Sequence, residues 1–377
     1  MPGYEIIGKE EKKAVNNIFD EGGVLFAHAF EKLRKKFHIR EFEKNCEKYF
    51  KVKHCLAVSS GTAALKISLK AMGIKPGDEV ITQAFNFIAT IEAILDIGAK
   101  PIIANVDASL NIDIAEVNKL ITKKTKVVIP VHMLGVAANL EGLKKVIGKR
   151  KIKILEDGCE SVGGKYYKKY LGSVGHAGVF SFDFGKTITT GEGGLILTNN
   201  KKLMKYCREY HDHGHENNKK YPRGMDTRSI FGFNYRMTEL QGAIGKVQLK
   251  KLKDIIFKNN LRYKQFEKII RSKFKIRKIT ENSTPNYDTF IFIEENSNLR
   301  KKILKKIKSN NFGTKNLPDA IKWHCSAYWN HALPNKQVRR SNKTKKLLNQ
   351  SIAIPINLKK SIKDYKKLAL SILSVKK

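Results

Sequence analysis

Apolar positions along the chain change period from segment to segment, and these changes mark out its elements. Residues 9–19 place Ala14, Val15, Ile18 and Phe19 at helical spacing, which predicts a short N-terminal helix. Gly22 and Gly23 break that pattern, a phenylalanine-rich and basic stretch runs to about Arg40, and a second helix is expected over 41–50. From Cys55 onward, short apolar runs alternate with helical stretches. Strands are expected at 55–58, 79–82, 101–106, 126–131 and 153–156, and helices at 62–72, 86–97, 114–121 and 140–147. Such alternation predicts β-α-β units and a mostly parallel, mixed sheet covered by helices on both faces, an α/β fold. Two more apolar runs, 178–182 and 194–198, enclose a polar turn rich in glycine.

The alternation fades near Asn199. A long basic helix is expected over 238–271, then a strand at 289–293 and a helix at 299–308. The pattern divides the chain into a large domain over 1–250, with its N-terminal helical segment, and a smaller C-terminal α+β domain over 251–377.

Composition changes this picture little. With 377 residues, 41% of them hydrophobic, a large core is affordable. There is no apolar run of about 18 residues to cross a bilayer. The start, MPGYEIIGKEEKK, lacks the basic-then-apolar order of a signal peptide. Five cysteines, an odd number at scattered spacings with no CxxC, argue against a disulfide framework and a structural metal site. A cytoplasmic protein without a metal is expected.

The net charge of +38 raises the question of nucleic acid. Its distribution answers against it. Leu299, Ile303, Leu304 and Ile307 fall at helical spacing with lysines on the other face, an ordinary solvated exterior. No zinc-finger, RGG or helix-turn-helix signature gathers the charge, so nucleic acid is not the expected partner. The field still favours small anions, phosphates above all.

Ligands of doubly wound sheets sit beyond the carboxyl ends of the strands, which directs attention to the residues there. Ser59-Ser60-Gly61-Thr62-Ala63-Ala64 ends one strand and opens a helix, which suits a phosphate cradle; an N-cap with a tight turn is the other reading. Asp157 ends another strand, as a carboxylate for a buried cation or as a helix cap. Phe87 suits stacking on a planar ligand or filling the core. Lys186 lies between the two glycine-flanked apolar runs. It is either a turn lysine in water or an amine whose pKa partial desolvation lowers, leaving a neutral nucleophile. Cradle, carboxylate, aromatic face and lysine together match pyridoxal 5′-phosphate: the lysine bonds the cofactor, and the carboxylate keeps its pyridine nitrogen protonated.

The motifs SSGTAAL (59–65), NFIAT (86–90), Glu156-Asp157, FSFDFGKTITTGEGG (180–194), His213-Gly214 and GFNYRMTELQGAIG (232–245) resemble the DegT-type sugar aminotransferases, pyridoxal-phosphate enzymes of the aspartate-aminotransferase fold, fold type I. The likeness covers nearly all of residues 1–250 and weakens beyond. It implies Lys186 as the cofactor-bearing lysine and Asp157 as partner of the ring nitrogen. Gly61, Thr62, Ala63 and Ser181 would hold the phosphate, and Phe87 would stack on the ring. Asn234 would reach the neighbouring subunit's cofactor, which implies a homodimer with shared sites. Glu160 stands where the family has glutamine or histidine near the ring hydroxyl, where an anion would be repelled unless protonated. His213, His215 and Arg236 are the expected substrate contacts.

Some relatives carry histidine in place of the lysine and dehydrate deoxysugars; Lys186 favours amine transfer from glutamate to a keto- or aldehydo-sugar of surface polysaccharide. Within the family, MPGYEIIG, SFDFGKTITTGEGG and His211, His213 and His215 are most similar to the 8-amino-3,8-dideoxyoctulosonate transaminases. The alternatives are a nucleotide-linked 3- or 4-keto-6-deoxysugar, a dehydratase, or a non-catalytic regulatory or nucleic-acid-binding relative.

Overall fold

The computed structural model describes residues 2–218 and 220–376. Seven apolar runs pair into one sheet: β1 (His54–Val58), β2 (Glu79–Gln83), β3 (Lys100–Ala104), β4 (Thr125–Ile129), β5 (Lys153–Asp157), β6 (Ala177–Ser181) and β7 (Gly194–Thr198). Their spatial order is β1-β7-β6-β5-β4-β2-β3. The run β6-β5-β4-β2-β3 is parallel, and β7 is antiparallel to both its neighbours. The expected mixed, mostly parallel sheet is what forms.

Both faces of the sheet are covered, and the period of two along each strand shows it. In β1, Leu56 and Val58 enter a core with Ala64, Ile67 and Leu69 of the helix Gly61–Ala71. Cys55 and Ala57 enter the opposite core, with Phe42, Phe50, Phe180 and Phe182. Each of those fully buried phenylalanines contributes about 1.5–3 kcal/mol relative to exposure.

Three element ends differ from expectation for visible reasons. The helix expected from residue 86 starts at Ala89. Asn86 is held in the loop instead, its amide donating to Gln83 O at 3.0 Å and its backbone N–H to His324 O at 3.1 Å. The helix expected from residue 41 begins at His38, whose backbone N–H is taken by the Glu239 carboxylate. The strand expected at 101–106 stops at Ala104, and Val106 bridges back to Ile112.

A second antiparallel sheet follows: β8 (Lys275–Ile276), β9 (Thr289–Ile293) and β10 (Ser351–Pro355), in the order β8-β9-β10. The helix Glu239–Ile270 belongs to both halves and runs unbroken through position 250, where the domain division was expected. Near its start, Gly242 and Gly245 lie so close to the helix His38–Phe50 that an added Cβ would come within 2.8 Å of Ile39 N and 2.9 Å of the Phe42 ring. Towards its end, Tyr263, Phe266 and Ile270 enter the core of the second sheet. From that sheet the chain returns to the first: Cys325 bridges to Phe85 just after β2. Residues 315–325 are thereby brought over the strand ends.

Candidate active site

A cavity of about 410 Å³ opens at the carboxyl ends of β1, β2, β5 and β6, lined among others by Gly61, Thr62, Phe87, Asp157, Glu160, Ser181 and Lys186. Sequence positions 61 to 186 converge there because parallel strands end on the same side.

One wall is the start of the helix Gly61–Ala71. Ser60 caps it, its hydroxyl accepting the Ala63 N–H at 3.1 Å. Both readings of this segment therefore hold at once, with one consequence. Ala63 is committed to the cap and its side chain to the core, so it does not line the cavity; the exposed Thr62 and Gly61 do. At Gly61 a Cβ would lie 2.9 Å from Ser181 Cβ and 3.1 Å from Cys159 Sγ, so only glycine lets these walls meet. The Ser181 hydroxyl accepts the Asp183 N–H at 3.3 Å.

Asp157 closes the floor. It is 4% exposed; one oxygen accepts the Cys159 N–H at 3.1 Å and the other the Thr90 hydroxyl at 2.8 Å. Its neighbour Glu156 points the other way, as alternation requires. There it pairs with His132 Nε2 at 2.9 Å and accepts N–H groups of Gly172, Val174 and Gly175. Glu156 is a structural clamp, Asp157 a site residue. Phe87 stands on the cavity wall, 45% exposed, beside the rings of Trp323 and His324.

The connection between β6 and β7 carries Lys186 into the cavity, where Nζ meets Glu160 Oε1 at 2.5 Å. The expected lowering of the lysine pKa is reversed here. Burial does act to lower it, but the Glu160 carboxylate outweighs burial and holds the ammonium above the usual lysine range. Glu160 in turn is pushed up by burial and pulled down by Lys186 and then Lys315, ending below the usual carboxylate range. It is an anion between two cations, and needs no proton to be tolerated.

Among the residues of the cavity wall that escaped the sequence reading as site residues are Thr90, Lys315, Asn316 and His324. Thr90 stood inside a quoted motif with no role. Lys315 is one of 73 basic residues, and nothing in its spacing set it apart. Only the return of the chain from the second sheet brings it to Glu160 Oε2, at 3.3 Å.

His213, His215, Asn234 and Arg236 do not meet Lys186 within the chain. Arg236 and Arg223 both bind the buried Asp212, at 2.7 and 2.5 Å. His215 Nδ1 lies 3.2 Å from Asp226, and His213 occupies the left-handed region at φ 54°. Asn234 is exposed. The third histidine of that cluster, His211, is buried, and burial pushes its pKa down to about 4.

This geometry meets its counterpart in known proteins. The model of the DegT/DnrJ/EryC1/StrS aminotransferase family matches residues 7–372. The chain belongs to that family. It is 40% identical over 215 residues to GDP-perosamine synthase of Caulobacter vibrioides, a match spanning 57% of each chain. It is 33% identical over 290 residues to GDP-perosamine synthase of Escherichia coli O157:H7, spanning 76% of each. Among solved structures, an aminotransferase from Psychrobacter cryohalolentis superposes with a TM-score of 0.87 over 98% of this chain and 97% of its own, at 26% identity. The family and the fold expected from the sequence are both met. Among the described residues no helix is long and apolar enough to cross a membrane.

Proposed function

We propose that the chain is a pyridoxal-phosphate-dependent aminotransferase that moves an amino group from glutamate to a nucleotide-linked 4-keto-6-deoxysugar. The observation that carries the chemistry is Lys186, a part-buried lysine on the β6–β7 connection, 2.5 Å from Glu160 and facing the same cavity as Asp157. Support for the sugar class comes from the two GDP-perosamine synthases among its relatives.

The residues present suit the cofactor. Gly61 leaves room where a Cβ would not fit, Thr62 offers an exposed hydroxyl, and Ser181 lies opposite, a set suited to phosphate. Asp157, its two oxygens fixed by Cys159 and Thr90, is the partner for a pyridinium nitrogen. Glu160 Oε2 is buried without a directed hydrogen bond, 3.3 Å from the Lys315 ammonium. Bound there, pyridoxal phosphate supplies an electron-accepting ring that makes the amino donor's α-proton removable.

The chain's own part rests on Lys186 in two roles. Its amine must first be free of its proton to act as nucleophile. Once free, the same Nζ would take the α-proton and return it two atoms along, across the donor nitrogen, as a general base must from within hydrogen-bond reach. Glu160, bonded to that Nζ, is placed to hold the amine in line between transfers. On the second half-reaction the keto-sugar takes the donor's place and Lys186 moves the proton in the opposite sense.

We also read the protein as a homodimer. Asn234 is exposed outside its own chain's cavity, and Phe231 and Phe233 just before it in the chain are exposed apolar groups, a surface suited to a second copy that receives Asn234 at its cofactor. His213, His215 and Arg236 on the same segment are then contacts for the partner's substrate.

Incubating the purified chain with pyridoxal phosphate, glutamate and a sugar panel tests this reading. The panel is GDP-4-keto-6-deoxymannose, a nucleotide-linked 3-keto sugar and 8-oxo-octulosonate. The expected result is 2-oxoglutarate and an aminosugar with the first. Turnover of 8-oxo-octulosonate alone would overturn the sugar class and keep the chemistry. A deoxygenated sugar without nitrogen, formed together with 2-oxoglutarate and free ammonia, means dehydration, and a salt-sensitive gel shift without turnover means a regulatory nucleic-acid binder.

A further inference from the structure

The pair that makes Lys186 recognisable also obstructs it. A carboxylate 2.5 Å from Nζ in a buried site holds the ammonium, whereas the chemistry needs the free amine. The cavity wall contains a counterweight. Lys315, its side chain 7% exposed, places Nζ 3.3 Å from Glu160 Oε2 and 3.1 Å from Asp288 Oδ2. Asp288 is anchored in turn: the Thr187 hydroxyl donates to Oδ2 at 3.2 Å and the Thr289 hydroxyl to Oδ1 at 2.8 Å. The four charges Lys186, Glu160, Lys315 and Asp288 thus alternate in sign along one buried line. Lys315 directs a hydrogen bond to Asp288 and none to Glu160, so that it acts on Glu160 by charge.

We propose that Lys315 is a positioning residue for Lys186: seated on Asp288, it shares the Glu160 carboxylate, so that the Lys186 amine can leave its ion pair. This rests on the reading of Lys186 as the cofactor-bearing lysine. The cation of Lys315 opposes a second positive charge on Lys186, and removing it leaves Lys186 facing two carboxylates with no competitor. Removing the charge of Asp288 has the opposite effect, because Lys315 then stands against Lys186 uncompensated. The other titratable groups near the line are Cys159 and Asp183, which act on Lys186, His324, which acts on Glu160, and Arg277, whose field reaches Asp288. None of them separates Glu160 from Asp288 as Lys315 does.

The test measures how fast the full-length chain, stripped of cofactor, captures pyridoxal phosphate as a function of pH. Capture forms the Nζ–carbon bond with loss of water and is read from visible absorbance. At a fixed pH below the midpoint, Lys315→Met slows capture roughly tenfold and moves the midpoint up by about one unit. Asp288→Asn speeds it roughly tenfold and moves the midpoint down. Lys315→Arg, keeping the charge, stays within roughly threefold of the wild type. A merely structural role would lower thermal stability without moving the two midpoints in opposite directions. An unmoved midpoint in Lys315→Met, or shifts of the same sign in both variants, overturns the proposal. Should the methionine variant not fold, an unmoved or raised midpoint in Asp288→Asn overturns it alone. A wild-type chain that captures no pyridoxal phosphate overturns the reading of Lys186 itself, and this inference with it.

Discussion

Two clusters of charge in this molecule each set a buried carboxylate among cationic side chains and do different things. Around Asp212, three positive or protonatable groups converge: Arg223 and Arg236 at 2.5 and 2.7 Å, and His28 at 3.7 Å. Arg223 binds both carboxylate oxygens, as a fork should. Burial pushes the His28 pKa down to about 3, so its imidazole is neutral and the two arginines carry the positive charge. Both oxygens of Asp212 are taken by arginine, and the atom left over is His28 Nε2, buried without a hydrogen bond. Around Glu160, by contrast, one oxygen is bonded to Lys186 and the other is left without a directed bond, inside a cavity. A closed network locks a loop in place. An open one leaves a carboxylate oxygen uncommitted beside the lysine proposed to react.

The contrast can be broken hardest at Lys186. Lys186→Ala removes the nucleophile and the base together, so transamination falls by at least about 10³-fold and the loaded protein loses its visible imine absorbance. The melting temperature should change little by comparison, because an open cluster contributes little to folding. A large loss of stability would mean that the two clusters are alike.

Asp212→Asn is the converse. It leaves Arg223 and Arg236 without their counter-ion, and calorimetry or urea unfolding should show a loss of about 3 kcal/mol. Arginine pairing holds the Asp212 pKa below the usual carboxylate range despite burial, which acts to raise it. A depressed carboxylate contributes stability above its unfolded pKa of about 3.9, and that contribution is lost as pH falls towards the folded value. The wild type should therefore lose, on acidification below about pH 4, a share of stability that Asp212→Asn no longer has. The pH midpoint of cofactor capture should stay where it is.

Gly61→Ala sharpens the geometry of the open site. The added methyl meets Ser181 and Cys159 at 2.9 and 3.1 Å, a clash costing about 1–3 kcal/mol. Because it falls in the proposed phosphate cradle, the loss should appear in the affinity for pyridoxal phosphate more than in the melting temperature, measured by absorbance titration. Thr90→Val gives the smallest effect: Asp157 loses the 2.8 Å hydroxyl bond, and cofactor affinity should weaken by about 1.5 kcal/mol, near tenfold.

Much of this was legible in the chain by itself. The alternation of short apolar runs with helical stretches, both faces of each strand apolar, leaves a parallel sheet covered on both sides as the arrangement that buries them. The rule that ligands gather at strand ends then picked out Gly61, Thr62, Phe87, Asp157 and Lys186, and the structure brings those five to one cavity. These are local properties: period, turn chemistry and position after a strand. The charge state of Lys186 was not local. Desolvation argued for a lowered pKa, and Glu160, 26 positions away in sequence, reversed it by standing 2.5 Å from Nζ. Lys315 and Asp288 were invisible for the same reason, since a lysine among 73 basic residues has no distinguishing mark until the second sheet folds back over the first. Sequence by itself determined which runs form strands and which loops follow them, and so where a ligand would lie. Tertiary structure alone decided which charges face one another there, because Coulomb energy depends on distance in space, and distance in space is what folding sets.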